Sequence, residues 1–167
     1  MMLEQSLALP KELRIVELTA QQAQVSLADL LLLADEDPKM LARYQSRCRY
    51  WAIHDRKQHF LAEVAVQQRA VDTWEIMNIA VTPAAQGQGL GSILIRLVLL
   101  MAQQNDQAYL LVGTGDTDLA NLSFYLHNGF RFYQIRPNFF KEYQMPIVVD
   151  GLPLQDMIMF RQPVTKF

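Results

Sequence analysis

Apolar positions along the chain fall into short runs with strand character and one long stripe with helical spacing, and the change of period marks the elements. Leu13 to Leu18 reads as a short strand, and Leu27 to Ala34 as a leucine-rich helix ended by the acidic turn Asp35-Glu36-Asp37 and Pro38. Lys39 to Arg47 is predicted to form a second helix. Arg49 to His54 and His59 to Val66 are aromatic and β-branched, and the polar Asp55-Arg56-Lys57-Gln58 between them punctuates an antiparallel hairpin. Trp74 to Val81 is more uniformly apolar, as a central strand must be, and Thr82-Pro83 closes it because proline has no ladder donor.

The period then switches. Leu90, Ile93, Leu94, Leu97, Leu100 and Met101 recur at helical spacing, and Ile95 and Leu99 widen the buried face. Tyr109 to Val112 predicts a short buried strand with Gly113-Thr114-Gly115-Asp116 as its exit. Thr117 or Asp116 can cap the next helix, which runs to His127 and stops at Asn128-Gly129, a pair suited to a left-handed terminus. Phe130 to Ile135 follows as a strand, and Ile147 to Val149 with Leu154 to Phe160 as a hairpin around Asp150-Gly151. Between them Phe139, Phe140 and Tyr143 are expected to pack on the core, with a pocket wall as the alternative.

Composition narrows the classes. The 167 residues suit one core, and 51% hydrophobic with 19% charged residues describes a globular chain rather than a disordered one. A formal charge of −2 provides no broad positive field, so nucleic acid is not expected as a partner, and Arg43, Arg47 and Arg49 read as a solvated helix edge. Cys48 is the sole cysteine, which forbids an intrachain disulfide and suits a small core residue in a reducing compartment. Met1 to Pro10 lacks the pattern of a signal peptide, and Arg96 interrupts the longest apolar run, so a cytoplasmic protein without a membrane span is expected. His54, His59 and His127 lack metal-ligand spacing, and no metal is expected.

The segment Gln86-Gly87-Gln88-Gly89-Leu90-Gly91 carries the candidate chemistry. It joins an apolar strand to an apolar helix, whose first amides lack intrahelical partners and whose dipole favours an anion. Glycines at 87, 89 and 91 let the backbone approach a pyrophosphate, and Gln86 can add a side-chain donor. The absence of Gly-Lys-Ser/Thr excludes a Walker loop, and the alternate spacing of the glycines fits the dinucleotide fingerprint poorly.

Ala80-Val81-Thr82-Pro83-Ala84-Ala85-Gln86-Gly87-Gln88-Gly89-Leu90-Gly91 resembles the signature of the GNAT N-acetyltransferases, Val-x-Pro followed by Gln/Arg-x-x-Gly-x-Gly/Ala. Asn121-Leu122-Ser123-Phe124-Tyr125-Leu126-His127-Asn128-Gly129-Phe130 resembles a downstream helix of the same superfamily. The resemblance is strongest over Trp74 to Phe132. It implies an α/β (α+β) fold: a mixed, mainly antiparallel twisted sheet of about seven strands with a parallel central pair, flanked by helices. Residues 1–167 would form a single acyl-CoA N-acyltransferase domain. The implied activity is direct transfer, in a ternary complex and without metal, of an acetyl group from acetyl-CoA to a primary amine of a small molecule. Acetylation of a protein N-terminus or lysine and a non-catalytic acyl-CoA-binding module are the alternatives.

By the same resemblance Ile79, Ala80 and Val81 would pair with the pantetheine arm, and Gln86, Gly87, Gln88, Gly89, Leu90, Gly91 and Ser92 would cradle the pyrophosphate. Asn121 would touch the pantetheine, and Tyr125 would protonate the departing thiolate unless it only packs. Glu75 occupies the position of a carboxylate base, with a surface glutamate as the other reading. Glu63 is an alternative base, although strand alternation expects it to face outward. The C-terminal strands offer a surface for a homodimer, whose formation the sequence does not set.

Overall fold

The computed structural model describes residues 2–165. After a short helix α1 (Met2–Ser6), strand β1 (Arg14–Leu18) leads to α2 (Ala20–Ser26), α3 (Ala28–Ala34) and α4 (Pro38–Ala42). Strands β2 (Arg49–His54), β3 (Phe60–Ala70) and β4 (Thr73–Val81) follow, then α5 (Leu90–Gln104), β5 (Tyr109–Gly115), α6 (Leu119–His127) and β6 (Arg131–Arg136). The chain ends in β7 (Val148–Val149), β8 (Leu152–Pro153) and β9 (Met157–Pro163). The seven-stranded sheet has the order β1-β2-β3-β4-β5-β9-β6, with β4 and β5 parallel and every other pair antiparallel. This is the mixed sheet that the sequence predicts.

Helices cover both faces. Apolar residues of α5, among them Leu94, Leu97 and Val98, pack with Trp51, Val64, Trp74 and Ile76 on one face. Leu27, Leu30, Leu31 and Leu41 of the N-terminal helices pack with Tyr50, Ala52, Ala65 and Ala80 on the other. The small alanines let these short helices lie close to the strands. Double coverage overturns the expectation for Glu63: with no outward side to the sheet, its carboxyl is wholly buried. Cys48 is buried, as expected.

Several boundaries differ from those predicted. The second helix ends at Ala42 and the chain tightens into a 3-10 turn at Gln45–Arg47, because Tyr44 turns inward to bond Asp35 and Asn78. An unpredicted helix, α2, starts at a reciprocal cap in which Thr19 Oγ1 accepts from the Gln22 N–H and Gln22 Oε1 accepts from the Thr19 N–H. Strand β5 continues through Gly113 and Gly115, so these glycines are not an exit turn. A Cβ at Gly113 would lie 2.6 Å from the sulfurs of Met157 and Met159, and one at Gly115 would lie 2.5 Å from Leu154. Asp118, rather than Thr117 or Asp116, caps α6. The turn at Asp150-Gly151 is present, but it joins only β7 and β8; the residues beyond insert as β9 between β5 and β6.

The centre of the sheet is notched. Parallel pairing of β4 with β5 runs from Thr73↔Tyr109 to Ile76↔Val112 and stops. Opposite β3, the register passes from Val66↔Ile76 to Ala65↔Asn78, which leaves Met77 as a bulge that bends β4 away from β5. Residues from Asn78 to Val81 therefore keep their ladder to β3 and, with Met77, present a backbone edge unpaired with β5 on the other side.

Candidate active site

The notch opens into a cavity of about 950 Å³. Every sequence-predicted site residue lines it except Gln88, which is exposed, and the alternative base Glu63.

One arm of the cavity is the turn after β4. Gly87 and Gly89 adopt φ of +77° and +79°, a left-handed backbone that aims successive amides the same way. The N–H groups of Gly87 to Ser92 have no acceptor among the described residues, and the first bond of α5 runs from the Ile93 N–H to the Gly89 carbonyl at 3.0 Å. Such a row of amides at a helix N-terminus is an anion site. The remaining turn residues have other tasks. Gly91 makes room for Phe124 of α6, whose Cζ would lie 3.0 Å from a Cβ there. Leu90 sends its side chain into the core and can offer a ligand only its backbone. Gln86 donates its side-chain amide to the Val81 carbonyl at 3.1 Å, tying the turn to the end of β4.

Helix α6 forms the adjoining wall. Asp118 accepts from the Asn121 N–H at 3.0 Å and from its side-chain amide at 2.9 Å, which fixes Asn121 at the cavity edge. Tyr125 is buried among Phe124, Phe130 and Phe160, and its hydroxyl has no protein partner among the described residues. Burial pushes this phenol above its ordinary range, so it stays protonated and able to donate.

The other arm is polar and was only partly legible in the sequence. Glu75, one residue before the last paired position of β4, is 4% exposed and contacts two arginines. Arg69 Nε lies 3.0 Å from its Oε2, and Arg136 donates to Oε1 at 3.3 Å and to Oε2 at 3.4 Å. Asn78 donates to the Leu31 carbonyl at 2.9 Å and to the Tyr44 hydroxyl at 3.0 Å, and Tyr44 in turn donates to Asp35 Oδ2 at 3.0 Å. Burial raises the Asp35 carboxyl above the usual carboxylate range, partly offset by the Tyr44 and Tyr143 hydroxyls. Phe139, Phe140 and Tyr143 are half-buried and line this arm; they form a pocket wall, not the core packing expected of them.

Two of these features carried a sequence signal. Arg69 and Glu75 flank the β3–β4 turn, where opposite charges on one face meet across strands. Asn78 is a polar residue inside an apolar strand. Arg136, Tyr44 and Asp35 arrive from distant elements and carried none. Glu63, the alternative base, does not line the cavity.

This arrangement has known counterparts. Residues 46–132, just over half of the chain, match the acetyltransferase (GNAT) domain model. The chain belongs to the GNAT acetyltransferase family. This GNAT protein is 30% identical over 139 residues to YvbK of Bacillus subtilis (strain 168), an uncharacterized N-acetyltransferase, across 83% of this chain and 89% of that one. A GNAT family acetyltransferase from Elizabethkingia anophelis, solved with acetyl-CoA bound, superposes with a TM-score of 0.85 at 31% identity, over 92% of this chain and 99% of that one. An IAA acetyltransferase from Bacillus cereus ATCC 14579 superposes with a TM-score of 0.83 at 29% identity, over 90% and 99% of the two chains. The matched GNAT range holds the notch, the amide turn and Tyr125, whereas Asp35, Tyr44, Arg136 and the aromatic segment lie outside it. Among the described residues no helix is long and apolar enough to cross a membrane.

Proposed function

We propose that this GNAT protein transfers the acetyl group of acetyl-CoA directly to the primary amine of a small molecule. The observation that carries the reading is the unpaired edge of β4, which runs from the amide turn at one end to a walled polar chamber at the other. A pantetheine arm carries amides able to add to that edge as a strand would, with its pyrophosphate at the free N–H groups of Gly87 to Ser92. Ile79, Ala80 and Val81 form the edge and Asn121 flanks it. On this reading the thioester lies between Glu75 and Tyr125, both of which line the cavity.

An ammonium cannot attack, so the acceptor must first lose a proton. Oε2 of Glu75 already meets both arginines, whereas Oε1 meets Arg136 alone and keeps a lone pair for an amine or an intervening water. The neutral nitrogen then adds to the thioester carbon, and an N–H of the Ile79–Val81 edge stabilises the oxyanion. Collapse breaks the carbon–sulfur bond, and the thiolate takes the Tyr125 proton. From ammonium to amide the nitrogen loses two protons: the first passes through Glu75 to solvent, and the second, shed once the carbon–nitrogen bond has formed, returns to the Tyr125 oxygen, so both side chains are restored as free CoA leaves.

The aromatic wall of the chamber supports a small acceptor. The aromatic segment is strapped to α4 by the Gln144 N–H on Asp37 Oδ2 at 2.9 Å and by the Arg43–Glu142 ion pair, across the face where an extended peptide would lie. Purified protein tested against amines and peptides for acceptor-dependent CoA release checks the reading. Release with small amines and none with peptides is expected; release with peptides alone refutes the acceptor class. Calorimetry with CoA and NAD separately tests the donor, and absence of CoA binding at millimolar concentration refutes it.

A further inference from the structure

We infer that the acceptor carries a carboxylate beside its amine, and that Arg69 and Arg136 hold it. The inference rests on the N-acetyl-transfer reading above and concerns the identity of its acceptor. Around Glu75 two cations face one anion, a local excess of one positive charge, while Asp35, Glu36 and Asp118 with Arg43 and Arg47 line other parts of the cavity. The arginine side chains are 40% and 29% exposed while Glu75 is 4% exposed, so an entering ligand meets the guanidiniums before the carboxylate. Each guanidinium has five N–H donors. Arg69 meets Glu75 as an ion pair and Arg136 donates two hydrogen bonds to it, and the remaining N–H groups have no protein partner among the described residues.

Free N–H donors on planar forks in a locally positive cluster match a monoanionic carboxylate. An acceptor without a carboxylate would leave those donors unused. Elsewhere on the cavity lining the opposite chemistry waits. Asp35 Oδ1, Gln67 Oε1 and Asn78 Oδ1 are buried acceptors with no donor. Buried acceptors left without partners are costly, and the N–H groups of an amine would satisfy them. Donors for a carboxylate and acceptors for an amine thus line one chamber, as an amino acid or a similar amino-carboxylate requires.

The test compares matched acceptors: amino acids, their carboxamides, the corresponding decarboxylated amines, and a phosphorylated amine. Acids are expected to exceed the other three by about tenfold or more in kcat/KM, chiefly through KM. Arg69→Gln should lower kcat/KM for the acids by more than for the carboxamides and so erode that preference, and Arg69→Lys should restore part of it. Carboxamides used as well as acids, a phosphorylated amine preferred over both, or an equal loss on all acceptors in Arg69→Gln would each overturn the inference. A second measurement needs no turnover: calorimetry of N-acetyl amino acids and their amides on CoA-saturated protein. Tighter binding of the acid supports the inference even if no acceptor releases CoA, whereas equal binding, or binding of neither, overturns it.

Discussion

Replacing Glu63 by glutamine should stabilise the protein by an amount that grows with pH. Glu63 lies on β3 opposite Ala80, wholly buried, and neither carboxylate oxygen has a hydrogen-bond partner of ordinary geometry. The Ala80 N–H polarises it only slightly, so desolvation dominates and pushes the carboxyl from 4.5 up to about 8. The native state therefore holds a proton that the unfolded chain releases between pH 4.5 and about 8. Stability from this group is complete below pH 4.5, falls as pH rises, and levels off above about 8. At about 1.4 kcal/mol per pH unit, the loss is about 3 kcal/mol by pH 7 and at most about 5 kcal/mol above pH 8. That is a large share of a typical domain stability of about 5–15 kcal/mol. Glutamine has nearly the same shape and cannot ionise. Repacking or an altered amide contact would add an offset that is the same at every pH, so the slope isolates the charge. Urea unfolding can be followed by the fluorescence of Trp51 and Trp74, which are buried with their rings 6.3 Å apart. Parent and Glu63→Gln should diverge steadily from pH 5 to pH 8, with the variant more stable. A constant difference over that range would refute the argument that Glu63 is protonated in the folded protein.

Three further outcomes follow from the same structure. Tyr125→Phe should leave unfolding free energy within about 0.5 kcal/mol, because the hydroxyl has no protein partner, yet lower kcat by about 100-fold with CoA affinity unchanged on calorimetry. Gly89→Ala should cost about 1–2 kcal/mol in stability and weaken CoA binding, because φ of +79° is strained for alanine although nothing blocks its methyl group; binding at parental strength would show that the amide row is not the anion site. Burial pushes the Cys48 thiol up to about 12, so at pH 8 iodoacetamide should modify the folded protein more slowly than the urea-unfolded chain by about three orders of magnitude. Prompt labelling of the folded protein would contradict that environment.

Much of the backbone geometry of the proposed donor side was legible in the sequence because its parts are local. A strand ending at Thr82-Pro83, alternate glycines and a helix start within one short stretch, and their geometry follows from backbone preferences of neighbouring residues. The Asn121 and Tyr125 helix, ended at Gly129 with φ of +90°, is local in the same way. The parallel central pair was legible through resemblance to the GNAT family, since the pattern of one strand does not name its neighbour.

What the chain's linear order determined, then, is the run of strands and helices and the row of unpaired amides, encoded by period, glycine and proline within a few residues, and, through the resemblance of two motifs, the family and its mixed sheet. What the tertiary structure decided is the chamber. The bulge at Met77 opens the notch, Arg136 arrives from β6 to meet Glu75 across 61 positions, and Tyr44 joins Asp35 to Asn78. Coverage of both sheet faces turned Glu63 from a surface residue into a buried acid, and the pressure of Met157, Met159 and Leu154 explains glycines that had read as a turn. Each of these depends on which distant side chain comes to lie beside which. Packing and electrostatics set that only once the layers close, and no local period records it.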